Sequence, residues 1–444
     1  MDEGGIKLKF YETTGDDEPS HAILVHVFRP EESEVKRSHM REELRNLAHN
    51  VGVLIVGEME QTLSEEHART KIGKGKLTEL AHVAATASAT LILFSVELSG
   101  SQLRNIEDSC SIRVMDRTQL ILDIFAHRAK SFEGKAQVRL AEFSYMLPRL
   151  TGQGIALSRL GGGIGTRGPG ETKLQVDRRT IRREMTKLRR IVSQAGERRS
   201  ELRRRRQRQG VYTIGLVGYT NAGKTTLLSY LAKRFGEKRL QEGQNRLFDT
   251  LDPASRRIMY AGRTFVVTDT VGFIRDLPHH LINAFRATLE EATDADVLIH
   301  VIDSSSPFKM EEMETVYEVV HGLLHTKAPL ISVFNKMDVI GPHQHDVFND
   351  VTADQVIRGS VLQQETLAEI LDTVDKIIGK RIALHLRIPS HRSDILADAY
   401  QLGEVNQLRE ESDHLLVDVH VDEREMRHFS GFVMQDGSLL EDKW

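Results

Sequence analysis

The sequence predicts a multidomain α/β protein, and three observations carry that prediction. Short apolar runs alternate with helical periods in the first third of the chain and again after residue 210. A glycine-rich turn joins a buried strand to a helix within residues 213–234. Two long helical runs, 123–147 and 171–208, separate the α/β regions. At 444 residues the chain is too long for one hydrophobic core, so several domains are expected. Their expected bounds are 1–122 for a small α/β domain, 123–209 for an antiparallel helical hairpin, 210–381 for a larger α/β domain, and 382–444 for a small α/β appendage.

Apolar residues make up 40% of the chain and charged residues 28%, which suits a soluble globular protein. Cys110 is the only cysteine, so no intrachain disulfide framework or cysteine-based metal site is available. The opening Met1-Asp-Glu-Gly-Gly lacks the basic-then-apolar pattern of a signal peptide. No apolar stretch approaches the roughly 20 residues that cross a bilayer. A cytoplasmic protein without a membrane span is the expectation. The 19 histidines show no ligand spacing, and most are expected at the surface.

In the first domain, residues 23–28, 53–56, 90–94 and 112–115 read as strands, with helices at 33–49, 76–86 and 101–107. Strand–helix alternation predicts a largely parallel sheet. The loop Ile72-Gly-Lys-Gly-Lys76 opens a helix and could meet a phosphate. Without a surrounding motif it reads better as a solvated turn.

The run 123–147 is helical by period, with Pro148 just beyond it. A glycine-rich stretch, Gly161 to Gly170, separates it from the run 171–208. Leu174, Ile181 and Leu188 recur every seven residues, which gives the second helix a narrow apolar seam. Gly163-Ile-Gly-Thr-Arg-Gly168 formally matches a dinucleotide fingerprint, but no strand precedes it and no βαβ unit surrounds it. A tip that approaches a partner closely fits better. Residues 178–208 hold fourteen basic residues against Glu184, Glu197 and Glu201. So one-sided a run points to nucleic-acid phosphate rather than a mixed solvated face. Interleaved aromatics are missing, which favours structured RNA over single strands. Arg149, Arg159 and Arg167 near the tip, and Arg182, Arg189 and Arg204 on the helix, are the candidate contacts.

The apolar run 213–217 leads into Gly218-Tyr219-Thr220-Asn221-Ala222-Gly223-Lys224-Thr225-Thr226 and then a helix. Strand, glycine-rich turn and helix in that order are the setting of a phosphate-binding loop. Gly218 and Gly223 let the backbone N–H groups point inward, and the helix adds its positive end. Lys224 would reach the β- and γ-phosphates, and Thr225 would hold Mg²⁺. The strand 264–268 ends in Asp269-Thr-Val-Gly272, which places a Mg²⁺ partner and a γ-phosphate N–H donor. The strand 330–334 runs into Asn335-Lys336-Met337-Asp338. An Asp carboxylate accepts from both the ring N1–H and the exocyclic amine of guanine, which adenine cannot match. The asparagine would bond the base edge, and the lysine stem would cover the ring. A P-loop GTPase domain, a mostly parallel sheet flanked by helices, is the fold this pattern implies, with GTP or GDP as ligand. After residue 382, strands at 384–388 and 415–421 are expected around a helix at 393–408, with no chemical motif.

Residues beyond the general motifs resemble the HflX family of ribosome-binding GTPases. They are Asp269-Thr-Val-Gly-Phe-Ile-Arg-Asp-Leu-Pro-His-His-Leu281, Ala284-Phe-Arg-Ala-Thr-Leu289, Ile72-Gly-Lys-Gly-Lys76, Gln102-Leu-Arg-Asn-Ile-Glu-Asp108, Leu120-Ile-Leu-Asp-Ile-Phe125 and Leu160-Gly-Gly-Gly-Ile-Gly-Thr-Arg-Gly-Pro-Gly-Glu171. The resemblance runs from about residue 40 to 375. It implies binding to the large ribosomal subunit and the intact ribosome through rRNA, with the glycine-rich tip at the peptidyl-transferase region. It also implies GTP-dependent splitting of stalled or stress-inactivated ribosomes. An assembly or docking factor whose GTP state only gates rRNA binding is the alternative. Thr250 matches the switch-I threonine that closes on Mg²⁺ and the γ-phosphate, and Ser360 matches the start of the last guanine loop, in which Val361 stands where the wider class usually has Ala and Gln364 and Thr366 replace common glycines. Asn221 resembles the asparagine that coordinates K⁺ in potassium-stimulated GTPases, although it can equally serve to stabilise its loop. Phe273 stands where Ras-like enzymes carry a water-orienting glutamine, so hydrolysis is expected to be slow alone and stimulated by ribosomes. Lys224, Thr250 and Gly272 are the expected catalytic groups, and a monomer is expected.

Overall fold

The computed structural model describes residues 20–150, 173–208, 210–236, 254–275, 294–323, 328–340, 350–379, 381–411, 413–422 and 425–434. They form two compact units that meet in sequence at Ser193 and Gln194. Among the described residues no helix is long and apolar enough to cross a membrane.

The first unit opens with four strands and the helices between them. These are β1 (His21–Phe28), α1 (Glu34–Asn50), β2 (Leu54–Thr62), α2 (Lys74–Thr86), β3 (Leu91–Phe94), α3 (Gly100–Cys110) and β4 (Arg113–Asp116). The sheet order is β2-β1-β3-β4 and every pairing is parallel. β1 and β3 are buried almost throughout, as expected where helices cover a parallel sheet. Ser99 and Gln102 form a reciprocal capping box that fixes the start of α3. The Gly73 N–H that opens the loop before α2 is taken by the Gln61 Oε1 at 3.0 Å, as a plain turn requires. Most described histidines reach solvent, but His26 and His300 are 1% exposed.

The expected single helix over 123–147 is two helices, α4 (Arg117–Arg128) and α5 (Phe132–Arg149). Ala129 leaves helical geometry, and the Ser131 hydroxyl restarts it by accepting the Gly134 N–H at 2.8 Å. Helix α5 also runs through Pro148. It packs Leu140, Phe143 and Leu147 against Ile181, Met185 and Leu188 of α6 (Lys173–Arg208). Ile181 and Leu188 of the seven-residue seam thus find their partners. The glycine-rich tip with Arg159 and Arg167 lies outside the described residues.

The second unit holds a six-stranded sheet of order β10-β9-β8-β5-β7-β6. Its elements are β5 (Tyr212–Val217), α7 (Lys224–Phe235), β6 (Ala254–Tyr260), β7 (Arg263–Asp269), β8 (Val297–Asp303), α8 (Lys309–Leu323), β9 (Leu330–Asn335), β10 (Gln355–Arg358) and α9 (Gln364–Ile378). Only β6 runs antiparallel to its neighbour. After it come β11 (Arg381–Pro389), α10 (Ser393–Leu402), β12 (Gly403–Glu411), β13 (His414–Asp422) and the short α11 (Met426–Phe429). The helix expected to 408 stops at Leu402. Residues 403–411 instead pair with β13 as an edge strand, because sheet pairing outweighs weak helical propensity. Arg263 ties the two sheets together. Its guanidinium donates to Asp422 at 2.6 and 2.8 Å, to the Asp375 carboxylate at 2.6 Å and to the Gly379 carbonyl at 2.8 Å.

Candidate functional site

The site lies where three parallel strands end together. β5 is buried along its whole length and delivers the chain into the turn 218–223. Gly218 has φ +148°, and a Cβ there would lie 2.3 Å from the Val301 carbonyl oxygen. Gly223 has φ +107°, and its Cβ would lie 2.3 Å from the Asn335 Nδ2. Both positions demand glycine for backbone geometry and space together. Asn221 at the crest is exposed, with φ +61°. Thr226 is half-buried in the first turn of α7.

Lys224 is 5% exposed. Its ammonium spans the loop, donating to the Gly218 carbonyl at 2.9 Å and the Tyr219 carbonyl at 2.8 Å. Burial pushes its pKa down to about 8, partly offset by the Asp269 carboxylate. A desolvated cation beside a helix N-terminus is stabilised by an incoming anion. Thr225 Oγ1 donates to Asp269 Oδ2 at 2.7 Å, so a hydroxyl and a fully buried carboxylate stand together. Among the described residues no group of three His, Cys, Asp or Glu could hold a metal ion.

The segment after Asp269 folds back against the loop. Thr220 N–H donates to the Phe273 carbonyl at 2.7 Å, and Phe273 N–H to the Gly218 carbonyl at 3.1 Å. Arg275 N–H donates to the Tyr219 phenol at 2.7 Å. Phe273 is 2% exposed, so its ring packs in the interior.

Asn335 joins three loops. Its Nδ2 donates to the Ala222 carbonyl at 2.8 Å, and its Oδ1 accepts the Val361 N–H at 2.9 Å. Both amide ends are therefore engaged in structure, with one Nδ2 hydrogen and one Oδ1 lone pair left for a base edge. Lys336 Nζ meets Asp303 Oδ2 at 2.6 Å. Asp338 is exposed beyond the end of β9. Ser360 is buried and its Oγ accepts the Leu362 N–H at 3.3 Å. The Val361 side chain joins the hydrophobic core, which accommodates valine there.

Hydrogen bonds thus link the turn 218–223 to Lys224, to Phe273 and, through Asn335, to Val361, with Thr225 bonded to Asp269. Thr250 lies outside the described residues. Arg182, Arg189 and Arg204 are exposed on α6. Arg149 is not available in the same way. Its guanidinium donates to Glu97 at 2.7 Å, the Leu98 carbonyl at 2.7 Å and the Tyr145 carbonyl at 2.9 Å, and it stacks on the Tyr145 ring. Those partners give it a structural role, so the expectation of an RNA contact at Arg149 is set aside. The sequence reading overlooked Asp303 and the Tyr219 phenol. Asp303 ends a strand in register with Asn335, a signal available in the sequence, whereas the phenol bond depends on the chain path after Gly272.

Three family models match the chain in succession: GTP-binding GTPase N-terminal over residues 38–126, GTP-binding GTPase Middle Region over 128–206, and 50S ribosome-binding GTPase over 213–336. A GTPase HflX of Alkalihalophilus pseudofirmus is 43% identical over 361 residues, which is 81% of this chain and 83% of that protein. A GTPase HflX of Escherichia coli is 35% identical over 395 residues, covering 88% and 91%. Among solved structures, a GTP-binding protein from Sulfolobus solfataricus in complex with GDP aligns over 81% of this chain and 98% of its own, with 21% identity and a TM-score of 0.43.

Proposed function

The chain belongs to the HflX family of GTPases, and from that premise we propose that it docks on the large ribosomal subunit and splits stalled or stress-inactivated ribosomes under control of bound GTP. It is a GTP-binding enzyme that hydrolyses GTP to GDP and phosphate. In our reading Asp338 accepts from the guanine N1–H and exocyclic amine, and the Lys336 stem covers the ring. Ser360 and Val361 face the base from the other side. The loop N–H groups of residues 221–226 and Lys224 cradle the phosphates, and the Gly272 N–H meets the third. Asn335 shapes the base pocket chiefly by joining its walls.

The donor set suits Mg²⁺, which prefers hard oxygens and takes only a few from protein beside phosphate and water. Thr225 would hold it with Asp269 behind, and Thr250 would complete the set. When bound, Mg²⁺ neutralises charge on the β- and γ-phosphates. A K⁺ at Asn221 would supply positive charge where other GTPases use an arginine. Phe273 has no group that orients water, so turnover is slow until an external partner orders the site. The ribosome is that partner in this reading. The protein acts as a cytoplasmic monomer.

The observation that carries the ribosome reading is the exposed arginine surface of α6, where Arg182, Arg189 and Arg204 stand in solvent within a run of fourteen basic and three acidic residues. Such a surface fits rRNA phosphate. Intact ribosomes are sedimented with the protein in GTP, a non-hydrolysable analogue, or GDP. Separation of subunits with GTP or the analogue but not GDP is expected. Intact ribosomes with protein on free large subunits alone would favour the assembly or docking role, and binding to neither would refute the RNA reading of α6.

A further inference from the structure

We propose that Tyr219 is a positioning residue for GTP turnover: its phenol anchors the backbone after Gly272 and so holds that glycine against the phosphate-binding loop. Three hydrogen bonds join the two segments. Two are backbone bonds, Phe273 N–H to the Gly218 carbonyl and Thr220 N–H to the Phe273 carbonyl, and any side chain at 219 would permit them. The third, from Arg275 N–H to the Tyr219 phenol at 2.7 Å, requires a side-chain acceptor at 219. Tyr219 is 8% exposed, so its ring is packed and its oxygen is presented from a fixed point.

The anchored segment carries Gly272 into close quarters. A Cβ on Gly272 would lie 2.8 Å from Thr220 Cγ2, 2.9 Å from Thr220 Cα and 3.1 Å from Lys224 Nζ. The glycine backbone therefore stands beside the ammonium that meets the terminal phosphates. GDP lacks the phosphate that Gly272 would touch. A residue that fixes Gly272 thus acts on the GTP-bound state and leaves GDP binding nearly unchanged, since only a difference in interaction between two states shifts their balance. The inference rests on the reading of Gly272 as a contact of the third phosphate.

Tyr219→Phe keeps the ring and removes the acceptor. Full-length, nucleotide-free protein is titrated with fluorescent GDP and with a fluorescent non-hydrolysable GTP analogue. Loss of one such bond should raise the Kd for the analogue about three- to tenfold, with the GDP Kd moving less than about twofold. Hydrogen exchange at the Arg275 amide should accelerate in the analogue complex. Gly272→Ala, run in parallel, tests the underlying reading and should abolish the preference for the analogue. If Gly272→Ala does so while Tyr219→Phe changes neither the ratio of Kd values nor the Arg275 exchange, the anchoring role is overturned and the Gly272 reading stands. Equal weakening of both nucleotides by Tyr219→Phe would reduce Tyr219 to loop support and also overturn the proposal. If Gly272→Ala keeps the preference, the Gly272 reading falls and takes the proposal with it.

Discussion

Asn335→Ala should destabilise the protein before any nucleotide is added. The carboxamide is 2% exposed and bonds Ala222 and Val361 at 2.8 and 2.9 Å. Each bond contributes ~1 kcal/mol net, and a buried partner left unsatisfied costs ~1–3 kcal/mol. Partial relaxation of the loops brings the combined loss to about 2–4 kcal/mol, because neighbouring effects are not additive. For a folding unit of this size that lowers the Tm by roughly 4–16 °C. Calorimetry on protein stripped of nucleotide measures the shift. Gly223→Ala should act on the same junction, since its Cβ would meet Asn335 Nδ2 at 2.3 Å. The double variant should therefore lose at least ~0.5 kcal/mol less than the sum of the single ones. An unchanged Tm in the stripped protein, with affinity for nucleotide still falling, would show that Asn335 acts through the base alone and refute the junction argument.

Arg263→Ala leaves Asp422, 8% exposed, and Asp375 without their cation and should cost ~3–5 kcal/mol in urea denaturation. Arg263→Lys should recover less than half of that, because an ammonium cannot reproduce the forked contacts. Asp123 lines a cavity of about 170 Å³ among residues of α3, α4 and α5, and burial pushes its carboxyl up to about 7, with Glu142 adding to the effect and Arg113 opposing it. Below pH 4 the folded and unfolded chains both hold that proton; as pH rises towards 7 the unfolded chain ionises first and stability falls. Asp123→Asn should therefore be nearly neutral below pH 4 and stabilising by up to ~4 kcal/mol at pH 8, at ~1.36 kcal/mol per unit; equal effects at both pH values would refute the assignment. GTP turnover should be several-fold faster in K⁺ than in Na⁺ buffer, with the difference lost in Asn221→Ala, and equal rates would remove the cation from the mechanism.

The strand, turn and helix start of the candidate site were legible because their signals are local. A buried strand, two obligatory glycines and a helix start fall within residues 212–226, and Asp269 and Asn335 each close a strand. The parallel sheet of the first unit was legible for a related reason: buried strands read as continuous apolar runs. What escaped the reading rests on pairing partners and caps rather than on the residues' own hydropathy pattern. β6 and β12 are held by pairing with β7 and β13, and their own residues carry little strand signal, with β12 exposed along most of its length. The break between α4 and α5 rests on one serine cap. Arg149 looked like a free cation because Glu97 and Leu98 lie far back in the chain.

The part of the site that would meet the base and the inner phosphates is held together by the chain's own hydrogen bonds. Lys224 is held by two loop carbonyls, and Asn335 braces the phosphate loop against the base loop. In the proposed reading these contacts would serve GDP and GTP alike. Discrimination between the two would come from groups that touch only the third phosphate, and in the proposed reading the segment 270–275 supplies them. Two backbone bonds and one phenol bond join that segment to the loop, each contributing ~1 kcal/mol. An external partner that accelerates hydrolysis has most to gain by acting there, since strengthening contacts common to both nucleotides would tighten binding without raising the rate.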